Sequence, residues 1–450
     1  MESTHNPDRF MSDLRFVLSQ GRKRIGLLVG AGAPLSIRVD GQNRVSATGA
    51  PLIPGVDGLT IQVLESLNGA QATAVEGIYK ELGPKPNIEE ILSRVRLLER
   101  AIGSAQVHGL NGSGHAALAR AICAAIGKVV GPTLPVDRNA YNELVAWVSG
   151  TMRSHAIEIF TTNYDLLFEE AFERAKAPYF DGFTGGKAPF FDPVTVAGDD
   201  LPARWSRLWK LHGSLGWTLD GNSVVRSGGR DASELVYPDY LKYDQTQRQP
   251  YAALFERLKS FLLTPDTLLL AIGFSFRDAH VAAVLDEALA MNANTAVIAF
   301  QYQRLCDEDS ACRLAYDRPN LSVYAADGAV ISGVSGRWQP GELPKNWAEI
   351  RASFWNHRAD DDPSCFILGD FQHFARFCAL AQATDLTYSP ATSSVEPSGA
   401  AVVPRDDSAS ESTLDQVPAV TDSSASARAA NEPGAAANDE AELSDAGGGQ

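Results

Sequence analysis

The sequence predicts an α/β fold built on a doubly wound parallel sheet of about six strands. Two observations predict it. Six short, largely apolar runs are separated by stretches with helical periodicity, and strands that alternate with helices form a parallel sheet covered on both faces. Small and polar residues gather just after those runs, where the strands' carboxyl ends fall, and such sheets bind ligands at those ends.

In chain order, the first strand is expected over Ile25 to Val29, ending in Gly30-Ala31-Gly32. The second is Ile157 to Thr161, running into Thr162-Asn163, and the third is Leu208 to Leu211, leading into His212-Gly213-Ser214. Leu268 to Ile272 leads into Gly273, and Ala296 to Phe300 and Leu321 to Ala325 complete a Rossmann-like set. Between them, helices are expected over Ile88 to Ala101, Leu166 to Ala175 and His280 to Ala290, the first from apolar spacing at Ile88, Ile91, Leu92, Val95 and Leu98. Residues 64–150 hold no convincing strand and read as a helical insertion between the first two sheet strands. Residues 215–250 read as loop and hairpin, with Asp220-Gly221 as the turn between Trp217 and Val224. Phe366, Phe371, Phe374, Phe377 and Leu380 suggest a helix packing back on the body.

The domain organisation expected is an N-terminal arm over 1–15, one domain over 16–387 with the insertion at about 64–150, and an acidic tail over 388–450. The whole chain has 450 residues and a net charge of -16. After Tyr388 there is no aromatic residue, and eleven acidic residues face only Arg405 and Arg428, a net of -9. Such a segment buries too little apolar surface to offset its ordering entropy, so a disordered tail is expected.

The acidic balance argues against a direct nucleic-acid or anionic-membrane binder, since those partners need a positive field. The polar first sixteen residues hold no apolar core of a signal peptide, and runs such as Leu268 to Ile272 are far short of a membrane span. The five cysteines, Cys123, Cys306, Cys312, Cys365 and Cys378, form no C-x-x-C pair and suit a reducing cytoplasm. No bound metal is expected, and the expected location is cytoplasmic.

Four short motifs carry the chemistry. Gly30-Ala31-Gly32-Ala33 lets the backbone turn tightly and approach a phosphate, but Leu35 stands where G-x-G-x-x-G needs its third glycine. A plain tight turn explains it equally well. Thr161-Thr162-Asn163-Tyr164-Asp165 opens a helix and reads alone as a cap. Lys210-Leu211-His212-Gly213-Ser214 contains a histidine that alone reads as a hydrogen-bonded structural group. In Gly273-Phe274-Ser275-Phe276-Arg277-Asp278, Ser275 or Asp278 can cap the next helix. Separate caps do not explain why all four fall at strand ends of one sheet. The Gly109–Gly114 stretch follows a helix and reads as a loop, and P-loop, H-E-x-x-H and G-x-S-x-G motifs are absent.

Together these motifs resemble the sirtuin fold, and more closely its bacterial sirtuin-like NAD-hydrolase branch, over roughly residues 16–330. Asn87-Ile88-Glu89-Glu90, Tyr237-Pro238 and Lys242-Tyr243 are similar too. The resemblance implies that Gly30, Ala31, Gly32 and Ala33 hold the NAD diphosphate, with Thr162 and Ser214 lining the same site. It implies that Asn163 contacts the nicotinamide ribose and orders the attacking water, and that Asp165 faces the carboxamide. His212 would be the general base, and Gly273 and Ser275 would contact the adenosine half. Cleaving the nicotinamide–ribose bond passes through an oxocarbenium-like state with a leaving group that is already cationic. The site then needs a positioned water and a base working near neutrality, the range of a histidine.

Where the family usually has a serine after Gly-Ala-Gly-Ala, this chain has Pro34, and it cannot build the four-cysteine zinc ribbon of sirtuin deacylases. Free NAD is therefore the expected substrate, cleaved to nicotinamide and ADP-ribose. The resemblance further implies a role in anti-phage defence, a homo-oligomer, and gating by assembly or by a HerA-class ATPase partner. The alternatives are a non-catalytic NAD or ADP-ribose sensor and a zinc-free protein deacylase.

Overall fold

In a computed structural model, residues 3–150, 152–221, 223–230, 232, 249–342, 347–356 and 364–381 are described. The tail expected over 388–450, and the Tyr237-Pro238 and Lys242-Tyr243 segments, lie outside them.

Among the described residues the main sheet has ten strands: β1 (Thr4–His5), β2 (Arg24–Val29), β3 (Glu158–Thr161), β4 (Tyr179–Phe180), β5 (Ser206–Lys210), β6 (Thr267–Ile272), β7 (Ala296–Phe300), β8 (Leu321–Tyr324), β9 (Gly328–Ile331) and β10 (Val334–Trp338). Their spatial order is β1-β10-β9-β8-β7-β6-β2-β3-β5-β4. The six strands expected from the sequence are β2, β3, β5, β6, β7 and β8, and they lie side by side, all parallel. Numbered among themselves, they run 3-2-1-4-5-6, the strand order of dinucleotide-binding sheets. The order reverses between β2 and β6, so the crevice outside their carboxyl ends is the topological switch point.

These strands are apolar because both faces are covered. On β2, Ile25, Leu27 and Val29 enter one core and Leu28 enters the other. On β6, Leu268, Leu270 and Ile272 face the first core, while Leu269 and Ala271 face the second. This two-residue alternation, with apolar residues on both sides, is the pattern of a doubly covered parallel sheet. Gly26 of β2 faces the second core because Phe261 fills its side-chain space, and a Cβ there would lie 2.6 Å from the ring.

The sheet exceeds the six expected strands. β9 and β10 form an antiparallel hairpin continuing from β8, and β1 and β4 are two-residue edges. These were not legible because β10 mixes polar and apolar residues and the edges are too short to show a period.

The residues expected as a separate N-terminal arm are built into this sheet. β1 pairs with β10, and the following helix α1 (Pro7–Ser19) buries Met11, Leu14 and Leu18. Asp8 receives two hydrogen bonds from Arg351, at 2.7 Å and 2.6 Å, in a buried bidentate pair. Only one stripe of α1 is apolar, which gave the segment its polar character in sequence.

Between β2 and β3 the chain forms a small antiparallel pair, Arg38–Val39 with Ala50–Pro51, and then a helical insertion. It holds α3 (Val56–Ser66), α4 (Gly69–Leu82), α5 (Ile88–Ala101), α6 (Gly112–Val130) and α7 (Ala140–Gly150), preceded by the short helix α2 (Gly32–Ser36). It begins at Val56, earlier than the expected residue 64. Asn87 and Glu90 form a capping box at the start of α5, which fixes that boundary. Half of the Gly109–Gly114 stretch, expected to be loop, belongs to α6, because Asn111 caps it by accepting from the N–H of Gly114 at 2.9 Å. The expected hairpin forms, with Trp217–Asp220 antiparallel to Ser223–Arg226.

Helices α8 (Leu167–Ala175), α9 (Tyr251–Leu263), α10 (Ala279–Met291) and α11 (Asp309–Asp317) follow the later strands. The last described helix, α12 (Phe371–Ala381), buries Phe371, Phe374 and Phe377. Phe366 was expected on that helix but sits in a two-residue strand, Cys365–Phe366, packed among aromatic rings.

Candidate active site

The switch point is built from glycine against glycine. Gly30 and Gly32 follow β2, and Gly273 follows β6 with φ of +64°. The N–H of Gly30 donates to Ile272 O at 3.1 Å, and that of Gly32 donates to Gly273 O at 3.0 Å. A Cβ on Gly32 would lie 2.6 Å from the Gly273 Cα, and one on Gly273 would lie 2.8 Å from the Ala33 nitrogen. The two strand-end loops thus approach closer than any side chain allows, and Gly273 also holds a left-handed conformation that glycine takes at no steric cost.

The sequence expectation that this turn offers its N–H groups to a diphosphate meets a structural limit. Besides Gly30 and Gly32, Ala33 spends its N–H on Gly30 O at 3.1 Å. Of the four residues, only Ala31 has an N–H without a partner among the described residues. The glycines mainly let the two loops pack directly on each other, because the space of each missing side chain is filled by the opposite loop.

Asn163 is anchored from the neighbouring strand end. Its Nδ2 donates to Gly30 O at 3.0 Å, and its backbone N–H donates to Thr161 Oγ1 at 3.1 Å. Thr161 Oγ1 itself donates to Val29 O at 2.9 Å, and the Thr162 N–H reaches the same oxygen at 3.3 Å. Asn163 is 9% exposed, and Thr162 is half-buried. The two strand ends therefore hold each other and leave the Asn163 amide oxygen for other partners.

Asp165 is buried beside Lys210. Its Oδ1 accepts from the Leu167 N–H at 3.0 Å, which starts α8. The Lys210 ammonium donates to the Asp165 carbonyl oxygen and lies 3.3 Å from Glu169 Oε1. Burial pushes the Asp165 carboxyl above its ordinary range, and Lys210 opposes this only in part. Glu169 is raised for the same reason. The nearby Tyr141 hydroxyl is fully buried with no partner among the described residues, and burial raises its pKa.

Ser214 and His212 come from the loop after β5. Ser214 is buried, its Oγ 3.5 Å from the Tyr164 carbonyl oxygen, and the Leu215 N–H donates to that oxygen at 3.0 Å. Tyr164 in turn donates its hydroxyl to Glu89 of α5 at 3.1 Å, tying the insertion to the site. His212 is 4% exposed, and its ring centroid lies 6.4 Å from that of Tyr164.

Sequence reasoning missed the role of Asp278 opposite this histidine. As allowed for, Asp278 caps α10: its Oδ1 accepts from the N–H groups of His280 at 2.9 Å and Val281 at 3.2 Å. Its Oδ2 lies 2.8 Å from His212 Nε2. The two atoms are at ion-pair distance, although the ring N–H is not aligned as in a made hydrogen bond. Only the placement of an aspartate at a strand end could have signalled it. Phe276 on the same loop has φ of +57° and packs 5.1 Å from Phe274, centroid to centroid. A bulky residue in that conformation costs roughly 1–2 kcal/mol, here held by packing. Ser275 is exposed on this loop, with no hydrogen bond to the other site residues among the described residues.

The structure therefore brings Gly30 to Ala33, Asn163 and Gly273 into direct contact. It places Asp165, His212 and Ser214 on the adjoining strand ends. Among the described residues no cluster of three or more histidine, cysteine, aspartate or glutamate side chains suits a metal ion. No helix among them is long and apolar enough to cross a membrane.

Residues 157–324 match the family model of a SIR2-like domain. That span runs from β3 to β8 and includes Asn163, Asp165, His212, Gly273 and Asp278. No curated protein matches the chain. A solved structure described as "Structural Basis for the Mechanism and Regulation of Sir2 Enzymes" is 13% identical, with a TM-score of 0.31, over 67% of this chain and 88% of that chain. A likeness that loose carries no site geometry across. The family match shows a SIR2-like domain over that span of the chain.

Proposed function

We propose that the chain is an NAD hydrolase that cleaves the nicotinamide–ribose bond to give nicotinamide and ADP-ribose. The observation that supports this reading is that Asn163 and the paired glycine turns meet at the switch point of a 3-2-1-4-5-6 sheet, while Asp278 on the same β6 loop lies 2.8 Å from His212. In this reading, the diphosphate lies against the Gly30–Ala33 turn near the Ala31 N–H, and Gly273 and Ser275 face the adenosine half. Asn163, with its amide nitrogen already committed to Gly30, presents its oxygen to the ribose or to the attacking water. Thr162 and Ser214 adjoin the same strand ends, and Asp165 faces the carboxamide.

The chemistry follows from these groups. Nicotinamide leaves as a neutral molecule from a cationic ring, so no acid is needed at departure. The ribose carbon develops oxocarbenium character, and a water must be held and deprotonated as it attacks. His212, buried beside Asp278, is the base in this scheme. Burial of the site excludes competing water and strengthens each polar contact with the reacting atoms.

An ungated NAD hydrolase would exhaust its own cell. We therefore place the enzyme in a gated role, as an effector of anti-phage defence in the cytoplasm, controlled by homo-oligomerisation or by a HerA-class ATPase.

The test is chromatography of NAD turnover with purified protein, beside Asn163→Ala and His212→Ala. Release of nicotinamide and ADP-ribose by the wild type, with losses of about 10²–10⁴-fold in both variants, supports the reading. NAD binding without turnover would instead indicate a sensor or an enzyme awaiting its partner. Absence of NAD binding would sink the proposal.

A further inference from the structure

Resting on the hydrolase reading, we propose that Asp278 is a positioning residue for His212. Its carboxylate fixes the imidazole so that Nε2 is held by the protein and Nδ1 faces the substrate.

The two residues come from loops that follow β5 and β6, which stand three places apart in the sheet with β2 and β3 between them. At a strand spacing of about 4.8 Å, that separation is about 14 Å. The pleat of the sheet alone does not bring them together. The Gly273–Asp278 loop must reach across the switch point, and it does so through the left-handed Phe276. The contact is therefore a feature of the loop path and not an accident of neighbouring strands.

The carboxylate is fixed before it meets the ring. Oδ1 is held by two backbone N–H groups at the start of α10, which sets the plane of the group and aims Oδ2 at His212. Both side chains are buried, at 8% and 5% exposure, so the charge acts with little solvent screening. A base oriented by a third group is the general arrangement of an activated histidine. A carboxylate can only accept a hydrogen bond from the ring. At 2.8 Å the carboxylate charge and its acceptor-only chemistry favour a proton on the facing Nε2, even with the N–H out of line, and leave the Nδ1 lone pair to take a proton from water.

A capping role alone is the competing explanation, and the chemistry separates the two. Asparagine caps a helix about as well as aspartate. In Asp278→Asn the side-chain oxygen can keep the cap while the amide N–H faces Nε2. That donor favours the opposite tautomer, with the proton on Nδ1, and removes the base from the substrate side.

The experiment uses full-length protein with ¹⁵N-labelled histidine, without NAD, and compares the ring nitrogens of wild type, Asp278→Asn and Asp278→Ser, with His212→Ala to assign the signal. The expected result is an Nε2-protonated ring in the wild type, lost in both variants, with unchanged melting temperature in Asp278→Asn. In NAD turnover, kcat of Asp278→Asn should fall about 10²–10⁴-fold while KM stays near wild type. Identical ring signals in wild type and both variants would overturn the proposal, as would retention of kcat in Asp278→Asn when His212→Ala has lost it. The ring signals do not depend on turnover, so a wild type that binds no NAD tests the hydrolase reading and leaves this measurement decisive.

Discussion

At the amino ends of the central strands, Glu158 is buried and fully answered. Its Oε2 accepts from Trp209 Nε1 at 2.8 Å and Arg257 Nε at 2.8 Å, and its Oε1 accepts from Arg257 Nη2 at 2.6 Å. Arg257 also reaches Asp199 at 2.7 Å. Burial works against the Arg257 charge, yet Glu158 and Asp199 outweigh it and hold its pKa above the usual arginine range. At the carboxyl ends of the same strands, buried polar groups are left short. Asp165 and Glu169 are pushed toward protonation by burial, and the Tyr141 hydroxyl has no partner among the described residues. One sheet thus carries a saturated charge network at one end and an under-satisfied one at the other. Saturation stabilises a fold, whereas unmet polar groups in a crevice are where a polar ligand gains most by binding.

Breaking the saturated end should give the largest effect on stability. Arg257→Leu leaves Glu158 buried without its main partner, and we expect a loss of about 3–5 kcal/mol in urea unfolding. Adding Glu158→Gln should return part of that loss, and NAD turnover per folded molecule should stay at the wild-type level. Loss of turnover with intact stability would erase the distinction between the two ends.

Gly273→Ala should act on the other end with a smaller stability cost. The new methyl would sit 2.8 Å from the Ala33 nitrogen in a left-handed backbone, a strain of about 1–3 kcal/mol. The expected distinguishing result is in calorimetric titration: NAD binding is lost while the protein still folds. Unaltered binding would mean that the paired glycine turns serve packing alone.

The contrast between the ends also explains what the sequence could disclose. The six central strands were legible because burial on both faces leaves a run such as Leu268 to Ile272 with no polar residue to blur it. The helices α5, α8 and α10 fall within a residue of expectation because their caps and apolar stripes are local properties of the chain. The β9–β10 hairpin and the place of α1 were hidden, since their stability comes from distant partners such as Arg351 for Asp8. That Asn163 and His212 stand just after strand ends could be read from their motifs. The His212–Asp278 contact could not, because it depends on a loop crossing two intervening strands. The use of the Gly30 and Gly32 N–H groups was hidden for the same reason, as their acceptors lie after β6 or at its end.

The smallest expected effect is the most direct test of the under-satisfied end. Burial raises the Asp165 carboxyl above its ordinary value of 3.8, and the nearby Lys210 only partly reverses this. Below that value both folded and unfolded chains hold the proton, and Asp165 adds no pH dependence. As pH rises, the unfolded chain releases the proton first while the folded protein retains it, so stability falls until the folded carboxyl also ionises. Asp165→Asn cannot titrate, and its amide oxygen can still accept from Leu167, so it should gain stability relative to the wild type as pH climbs. Lys210 keeps Glu169 at 3.3 Å as its counter-ion in the variant. Melting temperatures of both proteins, followed between about pH 4 and about pH 7, read this out directly. If the variant instead loses ground as pH rises, the Asp165 carboxylate is charged and stably paired with Lys210, and the carboxyl end is as saturated as the amino end.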